Sequence, residues 1–256
     1  MKTLALLFII IPTAIMAQQD TQNTVSSRKW SITGWGSKLY PVSATMRGTS
    51  TQFREEIAAD YNNTVYPFQD EYIVNPSRNT LFTIGFGGKL SYNIEEQTAL
   101  FLGIGGYFFS KRQFGDEAFM FVNSTILGAE YTLFPKHTYL NFFGSAALSL
   151  NFIGGSVKYD YFFGSSETNI PIAFRLGVEG EIGARYILPS TPVALEFSGN
   201  YALTNIIGKS YTKPAVKPNA TLPERELNDG ANPDNPNDNG RTIDFFQIKL
   251  GVKIWF

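Results

Sequence analysis

The chain has no cysteine, a single histidine (His137), and only 17% charged residues among its 256. Without thiols it holds no disulfide framework and no thiolate metal site. Lys and Arg number 21 against 22 Asp and Glu, so no basic surplus invites nucleic acid. After the first 17 residues no stretch approaches the roughly 18 consecutive apolar residues of a membrane-spanning helix. What the chain has in quantity is glycine (23), aromatic residues (15%) and a hydrophobic share of 43%. That composition is too apolar for a disordered chain. A mean hydropathy near zero has the look of an ordinary soluble protein.

Residues 1–17 read as a secretory signal peptide. Lys2 supplies the positive end, Leu4 to Ile15 an apolar run too short to cross a bilayer, and Ala17 a small residue at the cut. Residues 18–27 read as a short polar tail, which would be periplasmic in an outer-membrane protein. The remainder, 28–256, is read as one domain.

The dominant signal in that domain is alternation. In 81–94, Phe82, Ile84, Phe86, Leu90, Tyr92 and Ile94 share one face, while Thr83, Gly85, Gly87, Lys89, Ser91 and Asn93 share the other. Successive side chains of a strand point to opposite faces, so such a strand has one apolar and one polar side. The pattern returns in 99–110, 139–152, 170–186, 193–204 and 246–256, and less cleanly in 119–133. Residues 29–39 are ambiguous, because Trp30 and Ile32 fall on one face and Trp35 and Leu39 on the other.

Eight strands follow, each longer than the roughly 9–11 residues a tilted strand needs to cross hydrocarbon. The connections alternate between short (95–97, 134–138, 188–192) and longer (40–80, 112–117, 154–169, 206–241). Short turns at one end and longer loops at the other are the layout of outer-membrane barrels. A soluble barrel or sandwich also alternates. Here, however, the polar face is crowded with Gly, Ala and Ser, which suits a narrow interior. The apolar face is branched and aromatic, which suits lipid. Rings at Tyr92, Tyr131, Phe134, Tyr139 and Tyr186 fall where an interfacial girdle belongs. The expected fold is all-β: an eight-stranded antiparallel up-and-down transmembrane β-barrel with a filled lumen. Its long outer loops are 41–79 and 207–241.

With these features the chain resembles the small eight-stranded outer-membrane β-barrel superfamily, the OmpA transmembrane domain and OmpX type, over about residues 28–256. The most specific local match is the C-terminus. Phe246, Ile248, Leu250, Val252, Ile254 and Phe256 alternate up to a terminal aromatic. In that family such an ending resembles the signal read by the barrel-assembly machinery; it also serves as the lipid face of the last strand. A peptidoglycan-binding domain of the kind OmpA proteins carry is not expected. The resemblance implies the bacterial outer membrane, with loops extracellular and both termini periplasmic.

Nine charged residues fall on the polar faces: Lys89, Glu130, Arg175, Glu179, Glu181, Arg185, Glu196, Lys249 and Lys253. A one-residue register slip would turn them all to lipid. Each Arg at the bilayer midplane would then cost about 2–4 kcal/mol. Five cations against four anions is near balance, and buried charges need partners. The expectation is a salt-bridged plug, with a charged pathway for a small solute or proton as the sharper alternative.

Catalytic signals are weak. His137 sits in a short turn with no nucleophile or carboxylate patterned around it, and GFGGK at 85–89 lies within a strand. The chain is not expected to be an enzyme, and no cofactor or metal is expected. In the first long loop, Tyr61, Tyr66, Phe68 and Tyr72 stand among acidic residues and offer a binding surface or a cap to the barrel mouth. Asn235, Asn237, Asn239 and Gly240 partly match a calcium loop, but Phe246 stands where the bidentate Glu belongs. The function expected is structural, adhesive or partner-docking through the extracellular loops. The alternatives are a passive channel for small or hydrophobic solutes and an accessory subunit of an outer-membrane secretion or transport complex. The partners expected are outer-membrane lipid and lipopolysaccharide, the barrel-assembly machinery, and an envelope protein.

Overall fold

The computed structural model describes residues 28–43, 80–113, 116–133, 139–161, 164–189, 191–210, 227, 229–231, 233 and 240–256. These form eight strands: β1 (Trp30–Pro41), β2 (Thr80–Asn93), β3 (Thr98–Gln113), β4 (Asp116–Leu133), β5 (Leu140–Tyr161), β6 (Gly164–Ile187), β7 (Val193–Ile207) and β8 (Asp244–Trp255). Each pairs antiparallel with its sequence neighbours, and β8 closes on β1 to complete a barrel. Closure leaves no strand edge unpaired within the ring, the requirement for a sheet in a medium that cannot hydrogen-bond.

The register fixes the barrel's dimensions. From Trp30, stepping through paired residues leads to Tyr92, Leu100, Ala129, Ala146, Gly180, Tyr201 and Phe246. The circuit returns to β1 at Tyr40, ten residues beyond its start. Eight strands staggered by ten residues tilt by about 41° and enclose a backbone cylinder of about 8 Å radius. Ten residues so inclined rise about 25 Å, the height of the apolar band on outer-membrane barrels.

Short connections follow from local hydrogen bonds. Ile94 and Glu95 N–H groups both donate to the Thr98 carbonyl, and Leu188 N–H donates to the Val193 carbonyl. This end, which also holds Arg28 and Phe256, is the turn end; the opposite end is the loop end. The strands run further toward the loop end than the alternation predicts. Of 112–117, Arg112, Gln113, Asp116 and Glu117 belong to strands, and β5 and β6 stay paired up to Tyr161 and Gly164. The segment 154–169, read as a loop, is therefore mostly strand. Gly154 and Gly155 look like breakers, but the ladder absorbs an irregularity between Ile153 and Gly155 and continues. The loops at 41–79 and 207–241, and the tail and signal segment before residue 28, lie largely outside the described residues.

The ambiguity in β1 resolves into two outfacing and two infacing rings or chains. Trp30 and Ile32 are exposed on the wall, Leu39 is buried in the lumen, and Trp35 projects inward over Gly87. No helix among the described residues is long and apolar enough to cross a membrane, a statement that leaves strands untouched.

Candidate functional site: a stratified lumen and an apolar wall

The outward faces are almost wholly apolar. On β8, Phe246, Ile248, Leu250, Val252 and Ile254 face out, Leu250 at 67% exposure, and Phe256 just after the strand is exposed as well. Ile182 on β6 stands 75% exposed. A soluble protein rarely exposes apolar patches larger than a few hundred Å²; here they encircle the molecule. Lys38 is the one charged side chain on this belt among the described residues. It sits two residues below Tyr40, where its stem can carry the ammonium to the belt's edge. At the turn end Trp30 packs on Tyr92, ring centroids 4.9 Å apart, with Tyr131 and Tyr186 exposed at the same rim. Tyr139, assigned to the girdle by sequence, is instead buried, 6.3 Å from the Tyr186 ring. It lies just before β5 on that strand's inward parity. Phe134 lies outside the described residues.

Inside, the turn-end half is charged. Glu130 on β4 is the hub, only 2% exposed. Its Oε1 accepts from Arg185 Nη2 at 2.6 Å and Lys253 Nζ at 2.9 Å, and its Oε2 accepts from Lys89 Nζ at 2.7 Å. Arg185 Nε also donates to Glu196 Oε1 at 2.6 Å. Glu181 lies 3.6 Å from Lys249 Nζ and 4.0 Å from Lys89 Nζ, and accepts from the Ser198 hydroxyl. Glu179 accepts from Asn200 Nδ2 at 3.3 Å. Alternation brings eight of the nine sequence-selected charges together here, from β2, β4, β6, β7 and β8.

Rings close the spaces between these charges. Phe143 lies under Arg185 and Lys89, Trp255 under Arg185 and Lys253, and Trp35 under Lys249. Cations over ring faces are attracted most strongly where water is excluded. Infacing glycines make room for the rings. A Cβ on Gly183 would come within 2.7 Å of Phe143 Cζ. A cavity of about 20 Å³ remains beside Trp35, Lys89, Glu179, Glu181 and Lys249. That is space for about one water molecule.

Arg175 departs from the expected plug. It faces inward and is buried, but it lies nearer the loop end and pairs with Asp229, outside the strands. Sequence reasoning grouped it with the other eight because it shares their face of β6. Parity gives the face of a residue and is silent on its height.

The loop-end half of the lumen is apolar, where the sequence suggested small and polar residues. Leu39, Tyr107, Phe109, Met120, Val122, Ile153, Ala202 and Phe245 pack there with Leu227 and Ile243. Tyr107 and Phe245 rings lie 4.9 Å apart, and Phe109 meets Phe245 edge-on at 5.2 Å. The missed signal is legible afterwards: near the loop end both parities of β3 and β4 turn bulky, with Tyr107, Phe108, Phe109, Met120, Phe121 and Val122.

Above this layer sits a polar clasp. Asp229, 1% exposed, accepts from Arg175 Nε (2.9 Å) and Nη2 (2.7 Å), Asn205 Nδ2 (2.8 Å) and Ser210 N–H (3.1 Å). A register shift on β7 turns both Thr204 and Asn205 inward. Asn205 then also donates to the Arg241 carbonyl and accepts from Ile243 N–H. Sequence reasoning missed Asn205 and Asp229, because neither alternation nor any motif marks them. Tyr61, Tyr66, Phe68, Tyr72, His137, Asn235, Asn237 and Asn239 lie outside the described residues; among the described ones no cluster of His or carboxylates has metal-binding geometry.

No family model matches the chain, and no curated protein matches it. Solved structures offer distant likenesses. Neisserial surface protein A is 10% identical with a TM-score of 0.47, over 89% of this chain and 97% of its own. The N-terminal β-barrel domain of Pseudomonas aeruginosa OprF is 12% identical with a TM-score of 0.40, over 90% and 98%. The outer membrane protein OprG from Pseudomonas aeruginosa is 10% identical with a TM-score of 0.43, over 90% and 96%. The present chain is, by the pairing of its own strands, a closed eight-stranded antiparallel β-barrel with an apolar outer wall.

Proposed function

We propose that the chain is an integral protein of the bacterial outer membrane whose barrel is an anchor with a closed lumen. Its role is structural, adhesive or partner-docking, carried by the extracellular loops. The apolar belt about 25 Å high supports the membrane setting. One observation carries the anchor reading: among the described residues the lumen holds a network of charges at the turn end and apolar packing at the loop end. A conduit needs continuous water, and the gap beside Lys249 is about 20 Å³. The turn end, holding both ends of the barrel, faces the periplasm in this reading, and the loops face outward.

The test has two arms. Purified barrel in planar bilayers is expected to give no discrete conductance; regular steps would favour the solute-channel alternative. Cells carrying a deletion of 41–78 are expected to keep a folded barrel, read by heat-modifiable gel mobility, and to lose surface attachment or a co-purifying envelope partner. Attachment and partner both unchanged would overturn the loop assignment. A stable stoichiometric complex in detergent would favour the accessory-subunit reading.

A further inference from the structure

We propose that the cavity beside Glu179 is an internal water-binding site, supplied from the turn end along a seam of buried hydroxyls on β1 and β2. The proposal rests on the closed-lumen reading and deepens it. The charged half of the lumen is wet as far as Glu179, and the apolar half above it is dry.

Glu179 differs from the other acids of the charged half. Glu130, Glu181 and Glu196 each hold a Lys or Arg within 4.0 Å. Among the described residues Glu179 Oε2 has only the Asn200 amide, and its Oε1 makes no hydrogen bond with the protein, although the residue is 6% exposed. An unmatched buried carboxylate oxygen is costlier than an unmatched neutral one. Glu179 lines the cavity of about 20 Å³. Lys249 lines it too, its ammonium 3.6 Å from Glu181 and so beyond hydrogen-bond range. Trp35 is a third lining residue, and its indole N–H is buried without an acceptor. An acceptor and two donors around a space of this size match a water molecule, which takes about two to four polar partners. A dissolved ion fits less well, because Lys89 and Lys249 line the cavity together with Glu179 and Glu181 and their charges cancel.

Two further observations support the reading. Trp35, Ser145 and Ala147 take the inward parity of their strands and line the cavity, yet each is only half-buried, so part of their surface lies open within the lumen. Toward the turn end, Thr33 and Ser31 hold the next two inward positions of β1, and Ser91 on β2 pairs with Ser31 across the ladder. All three side chains are buried, and none of their hydroxyls makes a hydrogen bond with the protein. Buried polar groups that the protein does not satisfy are satisfied by ordered water. Beyond Glu179 toward the loop end the lining turns to Val122, Ile153 and Phe245, which offer water nothing to bond.

The test is radiolytic footprinting of the barrel in detergent, in which a brief X-ray pulse splits water in place and the hydroxyl radicals oxidise the side chains beside it. Tandem mass spectrometry then reads each residue. Met120, in the apolar layer, serves as the dry control, since a thioether reacts with these radicals about as readily as an indole. Trp35 is expected to be oxidised at least about fivefold faster than Met120, the contrast between a hydrated site and a dry one. Ala147→Leu, which fills the cavity, and Thr33→Val, which removes a hydroxyl of the seam, should each slow Trp35 oxidation severalfold without changing that of Met120. Heat-modifiable mobility confirms that each variant is folded, and should Ala147→Leu fail to fold, Thr33→Val decides. Slow oxidation of both Trp35 and Met120 would overturn the water site and leave the closed lumen standing. Fast oxidation of both would overturn the closed-lumen reading itself. Fast oxidation of Trp35 that no folded variant slows would place the water elsewhere and overturn the site.

Discussion

Arg185 Nη2 on β6 reaches past β5 to within 2.6 Å of Glu130 Oε1 on β4. This bond spans the lumen chord and joins strands that share no ladder. Lys253 from β8 and Lys89 from β2 converge on the same carboxylate. One anion therefore ties four non-adjacent strands together.

Removing that anion is expected to cost more than removing any one cation. Glu130→Gln leaves Arg185 with Glu196 but strips Lys253 of its hydrogen-bonded partner in the lumen. Breaking a buried pair in this way costs about 3–5 kcal/mol. Lys253→Met removes one charge, fills similar space, and leaves Glu130 with two donors; it should cost clearly less. Urea unfolding in detergent or lipid vesicles measures both, and equal costs would refute the hub assignment.

Tyr107 owes its place in the lumen to glycines opposite and beside it. A Cβ on Gly105 would meet Tyr107 Oη at 2.6 Å and Cζ at 2.8 Å, and one on Gly85 would meet the Cδ1 at 2.8 Å. Gly105→Ala should therefore destabilise by about 1–3 kcal/mol through overpacking. Tyr107→Leu removes the ring, so the double variant should recover much of the loss. A double-mutant cycle by the same unfolding assay checks this, and simple additivity would rule the contact out.

Alternation made the fold and most of the lumen charges legible, because strand parity is a property of neighbouring residues. Lys89, Glu130 and Arg185 meet because each takes the inward side of its own strand, and no long-range information is needed to see that. Arg175 shows where such reasoning ends. Its side of β6 was readable, but its height depends on the ten-residue stagger, which emerges only when eight registers close on one another. Asn205 was hidden for a related reason: a shift in β7 register places it inward against the period. Asp229 lies in a segment whose composition marks only polarity, and its partner is 54 residues away.

The C-terminal strand offers a separation of assembly from stability. Phe256 faces outward, and its N–H donates to the Trp30 carbonyl at 3.0 Å, a bond that an alanine retains. Phe256→Ala should therefore change the unfolding free energy of the refolded barrel by no more than about 1–2 kcal/mol, mostly lost apolar burial. If the terminal aromatic is read by the assembly machinery, the same variant should accumulate poorly in the outer membrane of growing cells. Normal accumulation would reduce Phe256 to a wall residue.

The sharpest test of the wall itself is to put a charge on it. Ile182 stands on β6 two residues from Gly180 on the register circuit, in the middle of the belt, and is 75% exposed. In a water-soluble barrel Ile182→Arg would be neutral or helpful, since an exposed apolar side chain gives way to a solvated one. In a bilayer the same change should cost about 2–4 kcal/mol, falling toward zero near the interface. Leu133→Arg, at the turn end of β4, serves as the comparison because its side chain can reach water. Folding both variants into vesicles gives the difference directly. A penalty at Ile182 well above that at Leu133 is what a lipid-facing belt requires, and equal penalties would mean that the apolar wall meets another protein surface, or water, instead of hydrocarbon.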